Sequence, residues 1–232
     1  KGQPTVYEGE RLEYIDFPVG GIGVGAVHMN GQAARHAWQI FGAVVYREVP
    51  ESFFAIGLRS SSQSSVRVLQ TTPVGTLSPM QRLRFEARYP FGVYRFFDDQ
   101  VPCEVTLTAF NPLIPLSARD SAIPCAVYRI TIHNPTGEAI TASVLATQLN
   151  AIGYRADKPI EGRRYEGFGG NINRVLHTNK GTWLCMTRQD LPDAGEMILM
   201  VDHSRAKVLT NWQDFEMLKT LLNNPQRIES LE

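Results

Sequence analysis

Apolar and polar residues alternate along much of the chain, which predicts a protein built from β-strands. In residues 103–110 valine, leucine and alanine alternate with threonine, and in residues 125–133 tyrosine and isoleucine alternate with arginine and threonine. This period of two is typical of strands that bury one face. A proline-rich connection at residues 111–115 separates these strands, and the turn chemistry of residues 134–137 leads into a third strand, predicted at residues 139–149.

The same alternation recurs before and after this central region. It predicts further strands at residues 12–19, 24–29, 32–41, 53–59, 66–70, 83–88, 92–97, 174–177, 182–187 and 197–201.

Asp98 and Asp99 form a tempting catalytic pair, but neighbours on an extended chain point to opposite faces. We therefore interpret them as residues of the turn that follows the strand at 92–97.

One amphipathic helix is predicted close to the C-terminus. Thr210 is its expected N-cap and Gln213 completes a capping box, while the Asn-Asn-Pro sequence at residues 223–225 ends it. Five apolar residues fall on one face of this helix: Trp212, Phe215, Leu218, Leu221 and Leu222. Many strands and one late helix indicate an all-β fold, a large antiparallel β-sandwich with long loops, with a barrel as the alternative.

A glycine-rich segment follows the strand predicted at residues 12–19. Its glycines are Gly20, Gly21, Gly23 and Gly25. The spacing loosely matches a dinucleotide-binding fingerprint, but that motif needs a helix after the glycines, and the Asn-Gly pair at residues 30–31 would end a helix at once. We therefore predict a β-hairpin that joins residues 24–29 to residues 32–41.

The 232 residues carry 23 acidic and 23 basic side chains, so the charges balance. No overall field attracts nucleic acid or an anionic membrane, and no apolar run reaches the roughly 20 residues that span a bilayer. We expect a soluble protein, with the cytoplasm as the favoured compartment, and no cofactor. Cys103, Cys125 and Cys185 lack the spacing of a metal site and are interpreted as reduced thiols, while a bridge between Cys103 and Cys125 is left open.

The longest irregular stretch is predicted at residues 151–173, which are rich in glycine. A loop of this length is usually functional or disordered. Its acidic residues either border a sugar site or are solvated loop charges, and we favour the second interpretation. The charged residues concerned are Arg155, Asp157, Glu161, Arg163, Arg164 and Glu166.

Histidines and aromatic residues offer two further kinds of candidate site. The histidines, which are His28, His36, His133, His177 and His203, include no pair at ligand spacing on one element, so no metal site is predicted. Four aromatic residues are candidates for stacking on a sugar ring, but aromatic residues on strands usually pack in the core, and we favour that interpretation. They are Trp38, Tyr94, Tyr154 and Trp183.

Several short motifs occur together and in the order found in one protein family. They are residues 17–25 (Phe-Pro-Val-Gly-Gly-Ile-Gly-Val-Gly), 89–91 (Tyr-Pro-Phe), 109–115 (Ala-Phe-Asn-Pro-Leu-Ile-Pro), 120–124 (Asp-Ser-Ala-Ile-Pro), Asn134 and 212–215 (Trp-Gln-Asp-Phe). Over nearly its whole length the chain resembles the N-terminal domain of glycoside hydrolase family 116. That family includes the non-lysosomal glucosylceramidase, also called bile-acid β-glucosidase, and prokaryotic β-glucosidases.

The resemblance implies a β-sandwich that pairs with a larger C-terminal α-helical domain. That second domain holds the two carboxyl groups of retaining β-glycoside hydrolysis, which lie about 5–5.5 Å apart. The resemblance therefore implies no catalytic residue in this chain, and it implies that residues 1–230 are a truncated N-terminal domain. Residues 231–232 are expected to be a tag remnant. The candidate residues for the domain interface or the rim of the active site are Gly20, Gly21, Gly23, Gly25, Asn111 and Asp120.

The favoured function is a non-catalytic domain that supports a helical catalytic domain acting on a β-glucoside or a glucolipid. The alternative is a free-standing carbohydrate-binding or protein-interaction module, because a sandwich scaffold does not by itself fix a function. A face that normally meets the helical domain would be exposed in the isolated chain. We therefore expect self-association through the C-terminal helix or an open strand edge.

Overall fold

The computed structural model describes residues 3–39, 49–153, 169–191, 195–204 and 206–226. This part of the chain is mostly β with one C-terminal helix, so the prediction of an all-β sandwich is confirmed. Several predictions fall outside the described residues: the end of the strand at 32–41, Tyr154, the charged residues between 155 and 166, and the pair at 231–232.

The described residues form fourteen strands, two α-helices and one 3-10 helix. The strands are β1 (Thr5–Tyr7), β2 (Asp16–Gly20), β3 (Ala26–Asn30), β4 (Arg35–Gln39), β5 (Phe54–Arg59), β6 (Ser64–Val68), β7 (Arg82–Arg88), β8 (Phe91–Phe97), β9 (Glu104–Phe110), β10 (Val127–His133), β11 (Thr141–Ala146), β12 (Asn171–Thr178), β13 (Gly181–Arg188) and β14 (Met197–Val201). The α-helices are α1 (Ala118–Ser121) and α2 (Phe215–Asn223), and the 3-10 helix is Gly9–Tyr14.

These strands form four antiparallel sheets. The largest has the order β1-β7-β8-β9-β10, and the three smaller sheets have the orders β2-β3-β4, β11-β5-β6 and β12-β13-β14. Side chains of the large sheet share one buried cluster with side chains of β2, β3 and β5, so two small sheets face the large one across the core. The last small sheet contacts β3 and β4 through Met197 of β14, which packs against a cluster that contains Val27 and Trp38.

The core is built from the inward-facing residues of the central strands. Phe85, Tyr94 and Leu107 are aligned on β7, β8 and β9, and each is at most 1% exposed. The ring centroids of Phe85 and Tyr94 are 4.6 Å apart. Burying an apolar side chain of this size stabilises the fold by roughly 1.5–3 kcal/mol. The alternation that predicts these strands therefore also supplies much of their stability.

Helix α2 covers the outer face of the β11-β5-β6 sheet. Leu218 and Leu222 pack with Phe53 and Ala55, so β5 is buried on both of its faces. The helix approaches this closely because β5 carries Gly57, where any Cβ would collide with the backbone oxygen of Leu222. The apolar face of the helix, which we expected to be available for self-association, is therefore covered within the chain.

The start of this helix differs from the prediction. Asp214, and not Thr210, is the N-cap, because its Oδ1 accepts a hydrogen bond of 2.7 Å from the backbone N–H of Met217. The backbone oxygen of Thr210 instead accepts a 2.9 Å bond from the side chain of Asn173 on β12. Aspartate is among the strongest N-cap residues, and the contact with Asn173 holds residue 210 outside the helix.

The strand predicted at residues 12–19 is only partly right. Gly9–Tyr14 form the 3-10 helix, and β2 begins at Asp16. The N–H of Ile15 donates to the oxygen of Leu12 at 3.2 Å, which is the short-range bonding of a 3-10 turn and an alternative to a strand. The predicted hairpin is confirmed, because β3 pairs with β4, and the remaining predicted strands agree with the observed ones within a few residues.

Asp98 has a structural role that the sequence does not reveal. Its side chain is 0% exposed, and its Oδ2 lies 2.7 Å from Nε of Arg67 on β6. The backbone oxygen of Asp98 also accepts a hydrogen bond from the N–H of Val101, within the predicted turn. The turn after β8 is thus joined to β6 by a buried ion pair, which leaves Asp98 no freedom to act as half of a catalytic pair.

Arg35 on β4 is a buried cation held by neutral groups. Its Nη2 donates to the backbone oxygen of Thr147 at 2.8 Å, and its Nη1 donates to Oε1 of Gln148 at 3.0 Å. The guanidinium carbon lies 4.5 Å from the ring centroid of Phe54 and 5.7 Å from that of Tyr128. Burial lowers the pKa of Arg35 to about 10, so the group still carries its charge at neutral pH.

Two further findings concern predictions made from composition. Cys103, Cys125 and Cys185 are free thiols, so the bridge that was left open between the first two is not formed. Within the described ranges, no helix combines the length and the apolar character needed to cross a bilayer.

We predict that Arg35→Ala lowers the free energy of unfolding by about 2–5 kcal/mol, because it leaves a cavity and an unpaired Thr147 carbonyl. Urea unfolding measures this loss. Arg174→Ala is the matched control, since Arg174 is exposed on β12 and its removal should change stability by less than about 0.5 kcal/mol. Equal effects of the two substitutions would contradict the role given to Arg35.

Candidate docking surface

Three loops meet at the end of the sandwich where β2 and β9 finish. The N–H of Gly20 donates to Oδ1 of Asn111 at 2.6 Å, and Nδ2 of Asn111 donates to the hydroxyl of Tyr89 at 3.4 Å. One buried amide side chain therefore ties the glycine segment to the β7–β8 turn and to the connection after β9. We call residues 20–25, 89–91 and 111–124 the loop cluster.

The glycines of the loop cluster are required for different reasons. A Cβ at Gly21 would lie 2.5 Å from the backbone oxygen of Ile123, and a Cβ at Gly20 would lie 2.5 Å from the backbone oxygen of Gly25. Gly23 has a φ of 72°, in the left-handed region that favours glycine. The segment is thus a tight turn packed directly on the backbone of the connection, with Gly25 exposed at its end.

The connection after β9 is held in shape by its own hydrogen bonds. The N–H of Ile114 donates to Oγ of Ser121 at 2.9 Å, and that hydroxyl donates to the oxygen of Ile114 at 3.0 Å. The backbone oxygen of Ser121 also accepts the N–H of Ile22 at 2.9 Å, which attaches the glycine segment. Ser121 is buried, so this single serine fixes the connection internally and fixes the neighbouring loop onto it.

The surface of the loop cluster is apolar. Tyr89 is 61% exposed and Leu116 is fully exposed. Five more large apolar residues of the cluster are exposed: Ile22, Val24, Phe91, Ile114 and Ile123. The charged residues of the loop cluster are Arg119 and Asp120 alone. Exposed apolar surface that is concentrated in one place marks a site of interaction with another protein surface or a ligand.

Leu116 combines full exposure with an unfavourable backbone conformation. Its φ is 66°, a region that bulky residues other than glycine rarely adopt. The N–H of Ser117 donates to the oxygen of Ile114 at 3.1 Å and closes the turn around it. Strain of this kind costs on the order of 1–3 kcal/mol and clusters at functional sites. The turn therefore holds an apolar side chain in solvent, where it contributes nothing to the core.

The structure brings together most of the candidate residues found in the sequence. Gly20, Gly21 and Asn111 form the contact between two loops, and Gly23 makes the turn. Asp120 lies in α1 within the same cluster, but its Oδ2 accepts a 2.8 Å bond from the hydroxyl of Ser117, so its role is local. Sequence analysis did not find Ser121 as an organising residue, because a serine in a loop carries no distinctive pattern.

Two histidines that appear unrelated in the sequence share one carboxylate. Oδ1 of Asp16 lies 2.9 Å from Nδ1 of His28 and 3.2 Å from Nε2 of His36. Partial burial raises the pKa of Asp16, but the hydrogen bonds and charges of the two imidazoles outweigh it and lower that pKa below its usual value. Pairing of β2, β3 and β4 produces this cluster, which lies outside the loop cluster. Within the described ranges, no three His, Cys, Asp or Glu side chains are placed to hold a metal ion.

The aromatic candidates for sugar stacking are core residues where the structure describes them. Trp38 is 4% exposed and Tyr94 is 0% exposed, so neither presents a ring face to a ligand. Trp183 is half-buried on the central strand of the β12-β13-β14 sheet.

Two of the cysteines are not candidate nucleophiles. Burial raises the pKa of the Cys103 and Cys125 thiols, which makes them poor nucleophiles.

Comparison with known proteins agrees with the motifs of the loop cluster. The chain matches the family model described as "beta-glucosidase 2, glycosyl-hydrolase family 116 N-term" over residues 16–228. The matched range contains the whole loop cluster and strands β2 to β14. A comparison with curated proteins gives no match.

We predict that Asn111→Ala loosens the loop cluster. Losing the bond to Gly20 should lower the free energy of unfolding by about 1–2 kcal/mol and speed amide hydrogen exchange at Gly20. Asn111→Asp keeps an acceptor for Gly20 and should restore slow exchange there. Asn179→Ala, at an exposed turn, is the control. Faster amide exchange at Gly20 in that variant as well would refute the role of Asn111.

Proposed function

This chain belongs to the family of N-terminal domains of glycosyl-hydrolase family 116, and from that premise we propose that it is a non-catalytic supporting domain. Its partner is a helical catalytic domain of the same polypeptide, which acts on a β-glucoside or a glucolipid as a retaining glycosidase. The loop cluster is the surface that meets the helical domain. Its apolar, nearly uncharged surface is the observation that carries the proposal.

Domain docking explains three properties of the loop cluster together. Contacts between domains commonly cover roughly 600–1,500 Å², and seven large exposed apolar side chains on adjoining loops suit an interface of that kind. The bonds made by Asn111 and Ser121 fix the loops in place before docking, which reduces the entropy lost on association. The strained and exposed side chain of Leu116 is buried, and so contributes to stability, only when another surface covers it.

Three carboxyl groups of the described residues, those of Asp16, Asp190 and Glu216, have clearly shifted pKa values, and all three values are lowered. A glycosidase proton donor needs a carboxyl group with a raised pKa. The hydrogen bonds from Arg188 and from Thr76 lower the pKa values of Asp190 and Glu216 respectively, and the two imidazoles lower that of Asp16. These shifts are opposite to the shift that a general acid requires.

The alternative function is a free-standing carbohydrate-binding module. It has less support, because Trp38 and Tyr94 are buried. The hydroxyl of Tyr89, an exposed residue of the loop cluster, accepts a hydrogen bond from Asn111, and the ring of Phe91 packs against that of Phe110.

We predict that the purified chain does not hydrolyse aryl β-glucosides, because both catalytic carboxyl groups are supplied by the helical domain. Release of the chromogenic aglycone, compared with a buffer blank, measures this. Turnover that survives purification and disappears when an acidic residue of this chain is replaced would overturn the proposal.

We also predict that the isolated chain self-associates through the loop cluster and that Leu116→Asp weakens this association. A charge on the fully exposed Leu116 should disrupt an apolar contact without disturbing the core. Light scattering over a concentration series measures the change. Tyr14→Asp is the control, since Tyr14 is 85% exposed and lies outside the loop cluster; a strictly monomeric parent chain would argue against an uncovered docking surface.

A further inference from the structure

The outer face of the five-stranded sheet carries arginine and phenylalanine side by side. Strands β7, β8, β9 and β10 direct alternate residues away from the core, and their pairing aligns these residues across the sheet. The outward residues are Arg82, Arg84, Glu86, Arg88, Phe91, Val93, Arg95, Phe97, Glu104, Thr106, Thr108, Phe110, Val127, Arg129, Thr131 and His133. We call this set the arginine face; it holds five arginines and two glutamates.

Both glutamates of the arginine face are already paired. Oε1 of Glu86 lies 2.8 Å from Nε of Arg95 and 3.6 Å from Nε of Arg84. Oε2 of Glu104 lies 3.3 Å from Nδ1 of His133. Three arginines remain exposed with no carboxylate of the described residues within 4.0 Å: Arg82, Arg88 and Arg129. The arginine face therefore has uncompensated positive charge, although the charges of the whole chain balance.

The phenylalanines give this cationic surface an apolar component. The ring centroids of Phe91 and Phe110 are 5.2 Å apart, and the guanidinium carbon of Arg129 lies 5.9 Å from the Phe110 centroid. At the other end of the sheet the guanidinium carbon of Arg82 lies 5.8 Å from the Phe97 centroid. Arginine and aromatic residues are enriched in the cores of protein–protein interfaces, where lysine and acidic residues are depleted.

We propose that the arginine face is a second part of the docking surface and receives an acidic surface of the partner domain. This inference rests on the proposed function, since it identifies the occupant as the same helical domain. Phe91 belongs both to the loop cluster and to the arginine face, so a domain that covers the loops also extends over this end of the sheet. A partner surface that covers these arginines must present negative charge to them, because interfaces arrange complementary potentials.

The geometry of the sheet fixes where that negative charge lies. Arg82 and Arg88 are at the two ends of β7, about 20 Å apart at the strand rise per residue. Arg129 is on β10, three strand spacings or about 14 Å across the sheet from β7. Carboxylates on the partner domain are therefore expected at three separated points, with apolar groups between them over Phe91 and Phe110.

Two other kinds of occupant fit less well. A nucleic-acid surface normally belongs to a domain with a strong positive charge, and this chain has a formal net charge of zero. A membrane-binding surface must insert apolar groups about 5–10 Å into the lipid boundary. Phe91 and Phe97 are exposed side chains of a sheet surface that also carries five arginines, and Phe110 is half-buried, so the arginine face does not suit insertion of this kind.

Chemical footprinting of the isolated chain, diluted until it is monomeric, and of the full-length polypeptide that contains it tests this inference. Phenylglyoxal labels accessible arginines, and hydroxyl radicals label Tyr89 and Leu116 of the loop cluster; mass spectrometry reads both. We expect labelling of Arg82, Arg88 and Arg129 to fall several-fold in the full-length polypeptide. Arg174 and Tyr14 are exposed elsewhere and should label equally in both samples.

The outcomes separate this inference from the proposed function. Protection of Tyr89 and Leu116, with unchanged labelling of the three arginines, would overturn the inference and leave the proposed function standing. Protected arginines with an unprotected loop cluster would support the arginine face as a docking site and contradict the role of the loops. No protection at either surface would overturn both. Protection of the arginines that grows with concentration in the isolated chain would identify a second copy as the occupant, and would also overturn the inference.

Discussion

The arrangement of the sheets depends on one buried cation, Arg35. It lies on β4, it contacts the rings of Phe54 on β5 and Tyr128 on β10, and it donates to the Thr147 carbonyl beyond β11. Three sheets therefore meet at one guanidinium group. Burying a charge is costly unless hydrogen bonds and favourable contacts compensate it. The contacts that compensate the charge of Arg35 come from all three sheets, so the same contacts join the sheets to one another. The large sheet and the two sheets that face it are thus fixed in their relative positions.

This fixed arrangement explains how the glycine- and proline-rich segments of the loop cluster form a defined surface. The loop cluster has little regular structure, but its three segments begin or end at strands of the fixed sheets. Asn111 then connects the segments through its buried side chain, and Ser121 does so through its backbone oxygen. The exposed residues between these attachment points are free to be apolar, because they contribute nothing to the core. Stability and the proposed docking role therefore fall to different residues of the same loops.

Strands such as β9 were predictable because they bury one face, and the period-two pattern records this directly in Val105 and Leu107. The glycine segment and Asn111 were found as candidates through their motif, although only the structure shows that they bond to each other. The 3-10 helix was missed because its bonds are local and leave no periodic signal. The pairs Asp98–Arg67 and Asp16–His28 were missed because their partners are distant in sequence or lie on neighbouring strands, and no pattern along one strand records a contact made across the fold.

The central claim is that the loop cluster is covered by a helical domain. A structure of the full-length polypeptide measures directly what surrounds Leu116. We predict apolar side chains of a helical domain within about 4.5 Å of Leu116, the range of hydrophobic contact, together with a large loss of exposure at Tyr89. Leu116 still in solvent, with a helical domain packed on a different face or with none present, would contradict it.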